Sequence, residues 1–196
     1  MKQAELVYRE ILYKAIEKKE KKLTQSELSK NLGISLSIVN SAVKKLHTIG
    51  AVKISLRSFS VLDIKKALYF WASIRNLKRD ILFSGRADLS VRDIERSMPN
   101  NIIFTAYSGY KFRFKDTPAD YSEIYVYADE RETEIIKKRF VMKKGKPNVF
   151  ILKKDGLIKR YKEIPAAQIF VDLWNLGEWY SKEFMNAFDK RIEESL

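Results

Sequence analysis

Residues Thr24 to Leu62 read TQSELSKNLGISLSIVNSAVKKLHTIGAVKISLRSFSVL. Thr24-Gln25-Ser26-Glu27 has the spacing of a capping box, in which a Thr hydroxyl and a Glu carboxylate satisfy the orphan amides that open a helix. That helix carries Leu28 and Leu32 inward and stops at Gly33, a residue type that accepts a left-handed C-terminal position. Ser35 stands where it can cap a longer helix, with Val39, Ala42, Val43 and Leu46 on one stripe and Gly50 at its end. Two short apolar segments follow, Val52 to Ser55 and Phe59 to Leu62, separated by Leu56-Arg57-Ser58, and they read as a hairpin. A short helix, a glycine turn, a longer helix and a hairpin occur in the order of a winged helix-turn-helix.

On the N-terminal side, Tyr8, Ile11, Leu12, Ala15 and Ile16 fall on one stripe of a helix over residues 4–20. On the other side, Asp63 caps a helix running to about Leu77, with Ile64, Ala67, Leu68 and Trp71 on one stripe and Tyr69 and Phe70 broadening it. So wide an apolar surface must be covered on more than one side, which assigns this helix to a domain junction or a dimer contact. From about residue 79 the pattern changes. Ile102–Thr105, Tyr110–Phe114, Ile124–Ala128 and Val149–Leu152 read as strands, the second placing Tyr110, Phe112 and Phe114 on one face. A helix is expected from Glu130 to Phe140. Ala166, Ile169, Phe170, Leu173 and Trp174 form a helical stripe, Gly177 breaks it, and a last helix turns Tyr180, Phe184, Ala187 and Phe188 inward. The expected fold class is α+β: a winged helix-turn-helix over 1–62, a connecting helix over 63–78 and a mixed α+β C-terminal domain over 79–196.

Lysine and arginine number 38 against 25 acidic residues, a formal charge of +13, which makes a polyanion the expected partner. Residues 1–62 hold 12 basic and 5 acidic side chains, so 12 minus 5 gives +7, while the rest holds 26 against 20, or +6. No long apolar run and no signal peptide is found, so a cytoplasmic protein with no membrane partner is expected. The chain has no cysteine and one histidine, His47, which excludes disulfides and thiolate metal sites; no cofactor or metal is expected, and His47 reads as structural.

Removing the inward residues of the longer helix leaves Ser35, Ser37, Asn40, Ser41, Lys44 and Lys45 on its outer face. Short hydroxyl and amide side chains reach base edges, and lysines a turn later reach phosphates, so these residues and Arg57 at the hairpin tip are the candidate contacts to double-stranded operator DNA. Arg57 fits a minor groove. Leu36 and Ile38 also point outward, toward thymine methyls or into protein packing. Lys18, Lys19, Lys21 and Lys22 end the first helix, where they contact phosphates or complement the helix dipole. The segment Gly85 to Glu95, GRADLSVRDIE, offers Asp93 and Glu95 at the spacing of a magnesium-holding pair. It lacks the Gly-Ser that precedes such a pair in nucleotidyltransferases, and Arg92 and Arg96 stand where a buried strand needs apolar neighbours. No P-loop, GxSxG or HExxH is present, so no catalytic residues are assigned and an enzyme is not expected.

Asp120 to Glu130 (DYSEIYVYADE), Pro147 to Asp155 (PNVFILKKD) and Gln168 to Phe184 (QIFVDLWNLGEWYSKEF) resemble the AbiEi family, transcriptional regulators that are antitoxins of type IV toxin–antitoxin systems. The run Gln168-x-x-x-Asp172-Leu173-Trp174-Asn175 is its most specific part. The resemblance implies an autoregulating repressor whose C-domain neutralises a nucleotidyltransferase-like toxin, a functional and not necessarily physical partner. It also implies that Asp93 and Glu95 are not catalytic. Read without the family, Leu173 and Trp174 pack in the core and Asp172 caps or pairs locally. The alternatives are a nucleotidyltransferase-type enzyme carrying a DNA-binding domain, and a ligand-sensing stand-alone repressor; a homodimer is compatible with each.

Overall fold

The computed structural model describes residues 1–195, with side chains through residue 193. Its first part comprises α1 (Gln3–Glu17), β1 (Lys22–Leu23), α2 (Gln25–Leu32), α3 (Leu36–Thr48), β2 (Val52–Ile54) and β3 (Phe59–Val61). At the start of α2 the Glu27 amide donates to Thr24 Oγ1 at 3.2 Å, and the Thr24 hydroxyl donates to Glu27 Oε2 at 2.9 Å. The Glu27 carboxylate thus accepts from the Thr24 hydroxyl and not from the Thr24 amide, a variation on the expected box. Gly33 ends α2 at φ 64, in the left-handed region that a side chain would strain. Val39, Ala42, Val43 and Leu46 bury the inner stripe of α3 against α1 and α2, as their spacing requires.

The strands β1, β3 and β2 form a small antiparallel sheet in that order. β1 has no counterpart in the sequence reading, because two residues cannot display an alternation. Lys21 and Lys22 therefore do not end α1: the helix stops at Glu17, and Lys22 lies in the sheet opposite Ser60. Next comes α4 (Ile64–Ile74), capped by the Asp63 carboxylate, which accepts the Lys66 amide at 2.8 Å.

The remaining elements are β4 (Ile81–Ala87), α5 (Val91–Ser97), β5 (Ile103–Thr105), α6 (Ala106–Phe114), β6 (Ile124–Ala128), α7 (Glu130–Arg139), β7 (Met142–Lys143), β8 (Val149–Lys153), α8 (Ala166–Trp174) and α9 (Ser181–Ser195). A five-stranded sheet runs β5-β6-β8-β4-β7, with β6 and β8 parallel and the other pairs antiparallel. Every residue of β6 is buried because both faces of the sheet are covered. Ile124, Val126, Val149 and Ile151 pack with Ile94, Ile136 and Phe140 of α5 and α7 and the residue after it, while Tyr125, Tyr127 and Leu152 join the core built on α6, α8 and α9. The described residues therefore make a mixed α+β fold with nine α-helices and two sheets.

Tyr110–Phe114 is helix, not strand. Tyr107, Tyr110 and Phe114 share a helical face toward Phe184 and Phe188, and Phe112, which alternation would bury beside them, is exposed. Gly109 permits this arrangement: a Cβ there would stand 3.0 Å from the Phe104 carbonyl oxygen, so α6 lies directly on β5. The covering of α4 comes from within the chain, with Phe70 edge-on to Tyr8 of α1 and Tyr69 edge-on to Phe170 and Trp174 of α8. One continuous core runs from α1, α2 and α3 through α4 into α6, α8 and α9. The expected boundaries at 62 and 79 separate the two sheets, and no break in the core falls there.

Candidate nucleic-acid interface

The outer face of α3 is set by what its inner face buries. Ser37, Ser41, Lys44 and Thr48 succeed one another at spacings of four, three and four, the repeat of an exposed helical stripe, with Lys45 beside them. Asn40 lies half-buried on the flank of that stripe, and Ile38 on the opposite flank packs against the core, whereas Leu36 is 53% exposed. Ser35 occupies the capping position but its side chain makes no capping hydrogen bond, so its exposed hydroxyl is free at the start of the helix. His47 ties the end of α3 to the hairpin, its Nδ1 3.0 Å from the Val52 carbonyl oxygen.

The register of the small sheet places Lys22, Ser60 and Lys53 in one cross-strand row, with Leu23, Phe59 and Ile54 in the next. Both lysines are exposed, two strand spacings or about 10 Å apart. Among the described residues, Lys22, Lys44, Lys45, Lys53 and Arg57 form no ion pair. A cleft of about 270 Å³ lies between the start of α2, the start of α3 and the hairpin tip, lined by Thr24, Gln25, Ser26, Leu36, Ser55, Leu56, Arg57 and Ser58. It joins Arg57 to the α3 end of the candidate set. The sequence reading did not include Thr24, Ser26, Lys53 or Leu56 in that set; the strand alternation that sets Lys53 outward was legible, the cleft was not.

Asp93 and Glu95 do not converge. They are two apart on α5, and residues so spaced project to different sides of a helix. Asp93 is exposed and turned back to Ser90, whose Oγ donates to it at 2.5 Å. Glu95 is buried, accepting from Ser108 at 2.8 Å, Tyr121 at 2.5 Å and Lys111 at 2.6 Å. No group of three or more candidate metal ligands is found among the described residues, and no helix among them is long and apolar enough to cross a membrane.

A second polar cluster lies inside the molecule, where α1, α4, α8 and the large sheet meet. Asp172, fully buried on α8, accepts from Tyr127 at 2.6 Å, Thr105 at 2.7 Å, Gln168 at 3.0 Å and Arg75 Nε at 3.3 Å. Its partners are long-range as well as local, so the local pairing expected for it is only part of the arrangement. Arg75 also donates to Asp80 and Glu5, and Arg9 on α1 makes a two-pronged pair with Asp155, both contacts 2.7 Å. Burial pushes the Asp172 carboxyl above its ordinary value, against the pull of Arg75, Tyr127, Thr105 and Gln168. For Asp80 and Asp155, burial acts in the same sense but the facing guanidinium outweighs it, and both carboxyls lie below their ordinary value. Trp174, expected in the core, is 46% exposed. Comparison with family models, curated proteins and solved structures finds no match to this chain.

Proposed function

We propose that residues 1–62 are a winged helix-turn-helix that binds double-stranded DNA, and that the protein is a sequence-specific transcriptional regulator. The observation that carries this reading is the exposed stripe of α3, with short polar side chains at Ser37 and Ser41 and cations at Lys44 and Lys45, beside a hairpin whose Lys53 and Arg57 also lack acidic partners among the described residues. An α-helix with its side chains fits the major groove, and unpaired cations on two neighbouring elements suit the phosphates on either side of it. In this reading Ser37, Ser41 and Asn40 read base edges, Ser35 and Lys44 and Lys45 hold the backbone, and Arg57 enters the adjacent minor groove.

The finer reading is an autoregulating AbiEi-like antitoxin with a nucleotidyltransferase-like toxin as its functional partner. Its support is the resemblance, and the run that carries it has a physical role in this chain. Gln168 and Asp172 belong to the buried polar cluster, and Asn175 Nδ2 donates to the Ala72 carbonyl of α4 at 3.2 Å. Those residues dock α8 against the helix that follows the hairpin, so in this reading they join the DNA-binding part to the rest of the chain.

Duplexes selected by the wild-type protein from a randomised library, and a random duplex of equal length, test the DNA reading. Asn40→Ala should cost about 1–3 kcal/mol on the selected duplex and relax specificity, with little effect on the random one. Lys44→Ala should weaken both alike and reduce the slope of log affinity against log salt by about one unit. If both variants bind every duplex as the wild type does, α3 is not the reading element.

A further inference from the structure

We propose that Leu56 is an apolar wedge that enters the minor groove and opens a base step, so that the protein bends its DNA site; this deepens the DNA-binding reading above and rests on it. Leu56 is 97% exposed, more than any other large apolar side chain among the described residues. The hairpin fold puts it there: the Ser55 amide donates to the Ser58 carbonyl at 2.8 Å, closing the tip so that Leu56 and Arg57 stand together at its apex. Tight hairpin tips favour Asn, Asp and Gly, which relieve backbone strain and suit water. Here neither Leu56 nor Arg57 has positive φ, so the tip needs no Asn or Gly to relieve strain, and Arg57 suits water whereas Leu56 does not. A large apolar side chain held in open water at the tip, with no packing gain in return, marks a position shaped by what it touches outside the chain.

The surroundings of Leu56 select the occupant. Arg57 is its neighbour at the apex, Lys53 stands on the strand leading to it and Lys22 lies in the same sheet row as Lys53, all exposed and without acidic partners among the described residues. Leu36 lines the cleft that Leu56 shares with the start of α3. A second apolar protein surface would leave these cations facing one another across a desolvated contact. A polyanion with an apolar, stackable interior satisfies both the charges and the leucine, and the minor groove of duplex DNA has that chemistry. Proteins that bend DNA insert Leu, Ile, Phe or Met between base steps, and pyrimidine–purine steps yield most readily. The protein should therefore prefer TA or CA/TG at a position beside the α3 contacts, where no hydrogen bond reads the base.

The test uses the full chain and the selected duplexes, with dyes at both ends to report bending by energy transfer. The wild type should bend the selected duplex. Leu56→Ala should lose the bend and about tenfold in affinity on that duplex, stay within about twofold on the random duplex, and lose the preference for flexible steps, whereas Leu56→Phe should keep the bend. At so exposed a position neither change disturbs folding. A wild-type duplex that stays straight, or a Leu56→Ala protein that bends and binds like the wild type, overturns the wedge. A change in the sedimenting mass of DNA-free protein in Leu56→Ala also overturns it, because the tip would then dock a second copy. Lys44→Ala separates the two readings. If it weakens binding while Leu56→Ala changes nothing, only the wedge falls; if the wild type binds no duplex, both readings fall.

Discussion

At the outer face of α3 and the hairpin, Lys44, Lys45, Lys53 and Arg57 stand in water without acidic partners among the described residues. At the meeting of α1, α4 and α8, Arg9 and Arg75 are buried and held by Asp155, Asp80, Glu5 and Asp172. Both sets contribute to the same net charge of +13. Only the first is available to a polyanion. Arg9 is counted in the +7 of residues 1–62, yet its charge is spent on Asp155 of the second part of the chain. Segment charge located the basic region, and pairing separates the cations that can act from those that hold the molecule together.

The largest effect that distinguishes the two regions is on folding. Asp172→Ala leaves the donors of Arg75, Tyr127, Thr105 and Gln168 around an uncompensated buried site and should cost about 3–5 kcal/mol in a denaturant titration. Unfolding at wild-type denaturant concentration would remove the structural role assigned to this cluster. On the other side, replacing both Lys22 and Lys53 by alanine removes two like charges from one sheet row and, among the described residues, no ion pair, so the unfolding midpoint should not fall. DNA affinity should fall on every duplex, with a salt slope shallower by up to about two units. Lost stability together with unchanged DNA affinity would reverse the distinction.

The smallest effect is on pH. Asp80 and Asp155 lie below their usual 3.8 in the folded protein, so the stability they contribute is complete above that value and is lost as pH falls through their lowered folded values. Asp172, shifted upward, contributes in the opposite sense and is favoured at lower pH. Acid unfolding of the wild type should therefore lose a component in Asp155→Asn, measured from pH 5 downward, whereas the same substitution should leave the salt slope of DNA binding unchanged. An identical acid transition in the variant would show that the Arg9–Asp155 pair carries no pH-dependent stability.

Much of the local structure was legible because it is encoded at short range. The stripe of Val39, Ala42, Val43 and Leu46, the stop at Gly33 and the cap at Asp63 each depend on residues within a few positions of one another. The alternation Tyr110, Phe112, Phe114 misled, since five residues satisfy a period of two while their outer pair also satisfies a helical spacing of four. Tyr107 and the close approach at Gly109 decide between them, and that approach involves the backbone of Phe104. Strand β4 eluded the pattern because its alternate residues are exposed or only half-buried and Gly85 and Ser84 interrupt them.

The sequence alone determined the elements of residues 24–62 and the outward placing of Ser35, Ser37, Ser41, Lys44 and Lys45, though not the half-buried position of Asn40, because helical periodicity and turn residues act within one or two turns of chain. Only the tertiary structure decided that Asp172 meets Arg75, 97 residues away, and Thr105, 67 away, that α4 is covered by α1 and α8, and that Leu56 has nothing over it. Burial and pairing at such separations depend on how whole elements pack, and no local window of sequence contains both partners.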